Sequence, residues 1–270
     1  MKGVMLREIT IGQYYPVSSV IHRLDPRVKI LGTLVYIVSL FLFNSFFGFC
    51  AAGAFLLGII LLSKVPLRYI LKGLKPIVIL LLFTMLFNFL LTPGEVLFRI
   101  WIIRLTKEGL YRGCFFGLRL LLLLLGSSMM TFATTPVQLT DGLESLLKPL
   151  KWIKVPVHDI AMMMSIALRF IPLLLEETDK IMKAQQARGA DFESGNLFRR
   201  AKAMVPIFVP LIISAFRRAF DLALAMEARC YRGGDGRTKL HPLKFHSRDY
   251  AAFAFLAVYL TVIILLRRWL

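Results

Sequence analysis

At 270 residues, 57% hydrophobic and with a mean hydropathy of +0.69, the chain is too apolar for a water-soluble domain and reads as an integral membrane protein. Its net charge of +18 is scattered beside apolar runs rather than gathered into a patch interleaved with exposed aromatics, so no nucleic acid is expected as a partner. Cys50, Cys114 and Cys230, the first two within apolar segments, lack paired spacing and read as small core residues, and the four histidines form no Cys/His cluster, which predicts no disulfide framework, no metal centre and no bound cofactor.

The fold class predicted is all-α, a polytopic membrane protein. The first 20 residues have no apolar core followed by a small-residue cleavage site, so no cleavable signal peptide is expected. Asp25-Pro26 reads as an N-cap and a first-turn proline. Five apolar segments then predict five crossings: Ile30–Phe43, Phe46–Leu62, Ile77–Leu91, Leu110–Phe132 and Tyr250–Leu266. Asn88, inside the third, suits a helix–helix hydrogen bond. Arg23, Arg27 and Lys29 precede the first crossing, and Lys64, Arg68, Lys72 and Lys75 separate the second from the third. Both groups belong in the cytoplasm by the positive-inside rule, which also puts the N-terminus there. Residues 92–109 fall outside.

This divides the chain into a cytoplasmic N-terminal segment (1–29), a transmembrane region of four helices (30–133), a cytoplasmic module (134–249) and a fifth transmembrane helix (250–270). Within the module, Thr135-Pro136 starts an amphipathic helix carrying Leu143, Leu146, Leu147 and Leu150. A second helix runs from near Pro156 towards Arg188, bent or broken at Pro172, with Glu176/Lys180 and Asp179/Lys183 as pairs four apart. A third starts near Pro206 or Pro210 and ends at Arg229. Phe216, Ala219, Phe220, Ala223 and Met226 form its apolar stripe, and Arg217/Asp221 its ion pair. Ile160–Leu175 and Ala203–Phe216 are themselves apolar enough for a competing seven-crossing topology, which would place Arg169 and Pro172 mid-membrane and separate Arg188 from Arg229.

The two arginines carry the sharpest pattern. "QQARGAD" (185–191) and "MEARCYRG" (226–233) each place an Ala-Arg pair and a small residue at the end of a long helix. Capping of a helix C-terminus by a cation explains one such end. Two suggest paired docking, because a guanidinium fork suits a bidentate carboxylate on a partner.

With "IGQYYPVSSVIHRLDPRVKIL" (11–31) and the run of crossings, these motifs resemble the transmembrane T component of energy-coupling factor (ECF) transporters, the EcfT/CbiQ-like family. The resemblance covers almost the whole chain. It implies a non-catalytic energy-coupling subunit whose cytoplasmic coupling helices dock on two ATP-binding cassette ATPases. Its membrane face would hold a separate S component that binds a vitamin or transition-metal ion. By position, the ATPase-docking residues are Ala187, Arg188 and Gly189, then Ala228, Arg229 and Cys230, the last departing mildly from the usual Gly or Ser. No phosphate-binding loop of the Gly-x-x-x-x-Gly-Lys-Ser/Thr type occurs, so ATP hydrolysis is expected in partners. Two alternatives stand beside this reading: a conventional ABC permease binding its own substrate, and an intramembrane enzyme on lipid or isoprenoid using Glu176, Glu177, Asp179 and Arg188.

Overall fold

A computed structural model describes residues 14–93, 96–100, 103–192, 197–233 and 242–269. Its helices are α1 (Pro26–Leu42), α2 (Phe46–Ser63), α3 (Leu67–Leu91), α4 (Lys107–Ala133), α5 (Pro136–Leu147), α6 (Val157–Ala187), α7 (Leu197–Ala228) and α8 (Ser247–Trp269). A 3₁₀ segment, Lys148–Ile153, follows α5. The expected all-helical polytopic class holds, with one addition: β1 (Val96–Ile100) and β2 (Ile103–Thr106) pair antiparallel as a hairpin between α3 and α4.

Membrane-spanning candidates differ from the five segments read from hydropathy. Among the described residues, α2, α4, α6, Lys202–Ala228 of α7 and Ser247–Arg268 of α8 are long and apolar enough to cross. At 17 residues, α1 covers only about 25 Å of a hydrocarbon layer about 30 Å thick. α3 begins ten residues before Ile77, because Arg68, Lys72 and Lys75 lower hydropathy without interrupting a helix. α7 starts at Leu197 and passes through Pro206 and Pro210, and α6 passes through Pro172.

The chain separates into two compact units: 147–242, and 12–146 with 243–270. In the second, α1, α2, α4 and α8 share a core around Tyr36, Leu40, Phe49, Ala52, Met129, Tyr259 and Ile263. Gly126 lets Tyr36 lie against α4, since a Cβ there would stand 2.4 Å from the ring. Ser39 donates to the Tyr36 carbonyl (2.7 Å) and shares a 2.6 Å hydrogen bond with the Tyr259 hydroxyl, satisfying a buried polar pair between α1 and α8.

Buried polar contacts fix the helix directions. Lys29 Nζ donates to the carbonyls of Ala133 (2.9 Å) and His22 (3.0 Å), so the end of α4 lies by the start of α1. The Asp25 amide donates to Asp249 Oδ1 at 2.9 Å, so α1 and α8 start at the same end and run parallel. α5 crosses that end closely, with Gly142 against Pro26 and Ile30. The stretch 147–242 therefore leaves and rejoins this unit at one end. Its two long helices cross the bilayer both or not at all.

At the other end of α1, Arg119 Nη2 donates to the Phe43 carbonyl (3.0 Å) and to Asn44 Oδ1 (2.9 Å). A cation inside α4 thus satisfies groups exposed where α1 stops. Asn88 donates to the Thr84 carbonyl of its own helix (2.9 Å), and among the described residues no bond from it to another helix is found. Cys50 and Cys114 are free and lie on the exposed surface of α2 and α4, not in the core.

Candidate functional site

Both Ala-Arg motifs end their helices in the same way. Ala187 closes α6, Arg188 is the cap residue, and Gly189 follows in the left-handed region (φ +88°). The Gly189 amide donates to the Gln186 carbonyl (2.9 Å) and the Ala190 amide to that of Gln185 (2.9 Å). In α7, Ala228 is last, Arg229 follows, and Cys230 turns left-handed (φ +55°). The Cys230 amide donates to the Glu227 carbonyl (2.8 Å) and the Tyr231 amide to that of Met226 (3.0 Å). Each end is a Schellman motif with the arginine at the C-cap.

The small third residue consequently has a backbone role. Gly189 has open space around the Cβ it lacks, so its identity answers to the positive φ and not to packing. Cys230 meets the same demand with a side chain, at a cost of about 1 kcal/mol. Opposite effects are expected: Gly189→Ala should destabilise the α6 end by about 1 kcal/mol, and Cys230→Gly should stabilise the α7 end by about 0.5–1 kcal/mol. Hydrogen exchange at Ala190 and Tyr231 would register them as roughly two- to fivefold changes of opposite sign. Changes of the same sign would remove the backbone explanation.

Arg188 and Arg229 are exposed, as are Ala187, Gly189, Ala228 and Cys230. Among the described residues neither guanidinium has an ion pair or a side-chain hydrogen bond, so all five donors of each fork are available. The two helices pack antiparallel: Arg218 pairs with Glu177 at 2.5 Å, and the Gln185 side chain approaches the Pro206 carbonyl at 3.5 Å. From Pro206, beside the end of α6, to Arg229 is about 35 Å along α7 at 1.5 Å per residue. The forks lie at opposite ends of the helix pair, too far apart for one small ligand.

Several local expectations are corrected. Arg218, not Arg217, makes the α7 ion pair, and its partner is Glu177 on α6 rather than Asp221. The pairs Glu176/Lys180 and Asp179/Lys183 do not close to ion-pair distance. Phe216, Ala219, Phe220 and Ala223 lie on the exposed face of α7, while Ile207, Ser214 and Arg218 turn inward. The exposed stripe extends the full helix, with Met204, Phe208, Ile212, Phe216, Phe220 and Leu224 at intervals of four, each about half exposed or more. Sequence reading could have found this stripe from its spacing; Arg218 over Arg217 needed the position of α6. The carboxylates of the enzyme alternative make no metal site: among the described residues no group of three His, Cys, Asp or Glu could hold a metal. His241 lies outside the described residues.

Comparison with known proteins gives a consistent picture. The family CbiQ, described as cobalt transport protein, matches residues 17–240. A protein of Clostridium kluyveri named energy-coupling factor transporter transmembrane protein EcfT is 56% identical over 98% of this chain and 99% of its own. Proteins of the same name from Thermosediminibacter oceani (54% identical over 92% and 94%) and Bacillus subtilis (47% over 97% and 100%) are similarly close.

Proposed function

This chain belongs to the CbiQ family as a transmembrane component of an energy-coupling factor transporter, and we propose that two ATP-binding cassette ATPases dock on its two arginine-ended helices. Closing and opening of the ATPase pair shifts α6 and α7 as levers. That movement reorients a substrate-binding S component, which delivers a vitamin or a transition-metal ion inward. The chain itself is not an enzyme. The observation carrying this reading is the duplication: two identically capped helix ends, each presenting a guanidinium with no ion pair among the described residues, at opposite ends of an antiparallel helix pair and so matched to two partners.

The reading requires both helix ends in the cytoplasm, with α6 and α7 along the membrane surface and the five crossings made by α1 to α4 and α8, α1 being completed by the chain that continues it from the extended Phe43. Charge spacing supports it against two further crossings. The uncharged run of α7, 203–216, has 14 residues and covers about 21 Å, well short of the hydrocarbon thickness. On α6, Arg169 divides the apolar stretch into nine residues and six, and a cation held there in lipid is expensive. The exposed stripe from Met204 to Leu224 then faces the S component, whose own membrane-embedded surface is apolar, rather than water.

Cys230, exposed beside Arg229, and a cysteine introduced by Ala190→Cys beside Arg188 offer the test, since two further crossings would leave residue 190 outside and residue 230 inside. With the other cysteines replaced by Ser, a membrane-impermeant maleimide should label each of the two, one at a time, in inside-out vesicles and not in intact cells. Assembly with the ATPases should slow the labelling. Reaction from outside at either position would refute the orientation; unchanged labelling after assembly would refute docking at that end.

A further inference from the structure

We propose that Arg27 is a clasp through which movement of the stretch 147–242 reaches the membrane helices, a positioning role that rests on the coupling function above. The chain leaves the membrane unit after Leu146 and returns to it at Leu243. Both points rest on one guanidinium. Arg27 Nη1 lies 3.5 Å from Ser145 Oγ, just before the exit, and Cζ stands 3.8 Å over the ring of Phe245, just after the return.

The same side chain is anchored to the helices. Its Nε and Nη2 donate to the two Asp25 carboxylate oxygens at 3.0 and 2.8 Å. Asp25 also accepts from the Arg27 amide (2.9 Å) as the cap of α1, and its own amide donates to Asp249 Oδ1 (2.9 Å) in the first turn of α8. A pull on either connecting segment is therefore delivered to the first turns of α1 and α8 instead of being taken up by a slack loop.

Helix capping does not account for this residue. Asp25 and Pro26 already supply the cap, and a cation in the first turn opposes the helix dipole. A guanidinium can serve a carboxylate with its edge and an aromatic ring with its face at once, which an ammonium cannot. Burial would raise the Asp25 carboxyl, but the bonds and charge of Arg27 outweigh it and hold the group below the ordinary carboxylate value, so the pair stays ionised at neutral pH.

The test uses the reconstituted transporter with its ATPases and S component, measuring assembly, ATP hydrolysis and substrate moved per ATP. Arg27→Gln is expected to assemble and hydrolyse ATP within about twofold of wild type while substrate moved per ATP falls at least tenfold. Phe245→Leu should uncouple in the same direction and Phe245→Tyr, which keeps the ring, should restore coupling; this pair decides the matter if Arg27→Gln does not fold. Undiminished transport per ATP in Arg27→Gln, or equal behaviour of the Leu and Tyr variants, would overturn the clasp. Absence of ATP-driven transport in the wild-type assembly would instead overturn the coupling function itself.

Discussion

Replacing Arg188 and Arg229 together by Glu should abolish ATP-driven uptake and release the ATPases on purification, while the membrane helices remain folded. The expectation follows from where the guanidinium groups are. Both are exposed at the far ends of Schellman-capped helices with no intramolecular ion pair among the described residues, so reversing their charge removes nothing that the chain uses to hold itself together. The backbone bonds that stop α6 and α7 involve the amides of residues 189, 190, 230 and 231, and these survive the change. On the partner's side the loss is large. Truncating one member of a buried, hydrogen-bonded charge pair costs about 2–5 kcal/mol, roughly 30-fold to several thousandfold in affinity, and reversal adds repulsion. Single variants should differ from the double: with one ATPase still held, each should keep partial assembly yet transport poorly, because one lever cannot work against an unheld second. Co-purification and uptake in the two singles and the double check this. Wild-type uptake in the double variant would mean that the helix ends are capped by arginine for local reasons alone.

The ends of helices were legible in the sequence to the extent that their chemistry is local. Asp25-Pro26, Thr135-Pro136 and Gly189 mark boundaries because an N-cap oxygen, a proline lacking an amide hydrogen and a residue free to adopt positive φ act within a few positions. Cys230 was legible only as a small residue. Its left-handed backbone, which gives the second motif its geometry, appears once the six-residue capping bonds are drawn. Pro206 and Pro210 misled in the opposite way: each removes one hydrogen bond and reads as a helix start, yet α7 continues through both, supported by packing against α6.

What escaped the sequence altogether is set by contacts between distant segments. Arg119 sits in a leucine-rich run where averaging over a window hides one charge, and its partners at Phe43 and Asn44 are about 75 positions away. Arg27, Ser145 and Phe245 show no shared periodicity, and only the bundle of α1, α5 and α8 brings them together. The two arginines of the helix ends were visible because the motif repeats. Their opposed placement was not, since it depends on α6 and α7 packing antiparallel through Glu177 and Arg218.

Asp249 should prove the most stability-critical carboxylate in the membrane unit. It is 1% exposed in the first turn of α8, and its two oxygens accept from two backbone amides, that of Asp25 at 2.9 Å and that of His246 at 2.8 Å. The His246 bond closes the start of α8 in the manner of a capping box, and the Asp25 bond ties it to the start of α1 across 224 positions of sequence. Asp249→Ala leaves the buried Asp25 amide without an acceptor, at about 1–3 kcal/mol, and removes the cap of the part-buried His246 amide, at about 1 kcal/mol, so a loss of about 2–4 kcal/mol is expected. Asp249→Asn keeps one carbonyl oxygen and can satisfy one amide but not both, which places it between Ala and wild type. Charge alone predicts another order, because Asn and Ala remove the negative charge equally and would then behave alike. Hydrogen exchange at residues 25–28 and 246–250, with thermal unfolding in detergent, separates the two cases: graded loss identifies the amide bonds as the cause, and equal loss identifies the charge. Unfolding of Asp249→Ala at the wild-type temperature, with unchanged exchange, would show that the two helix starts are held by packing without this carboxylate.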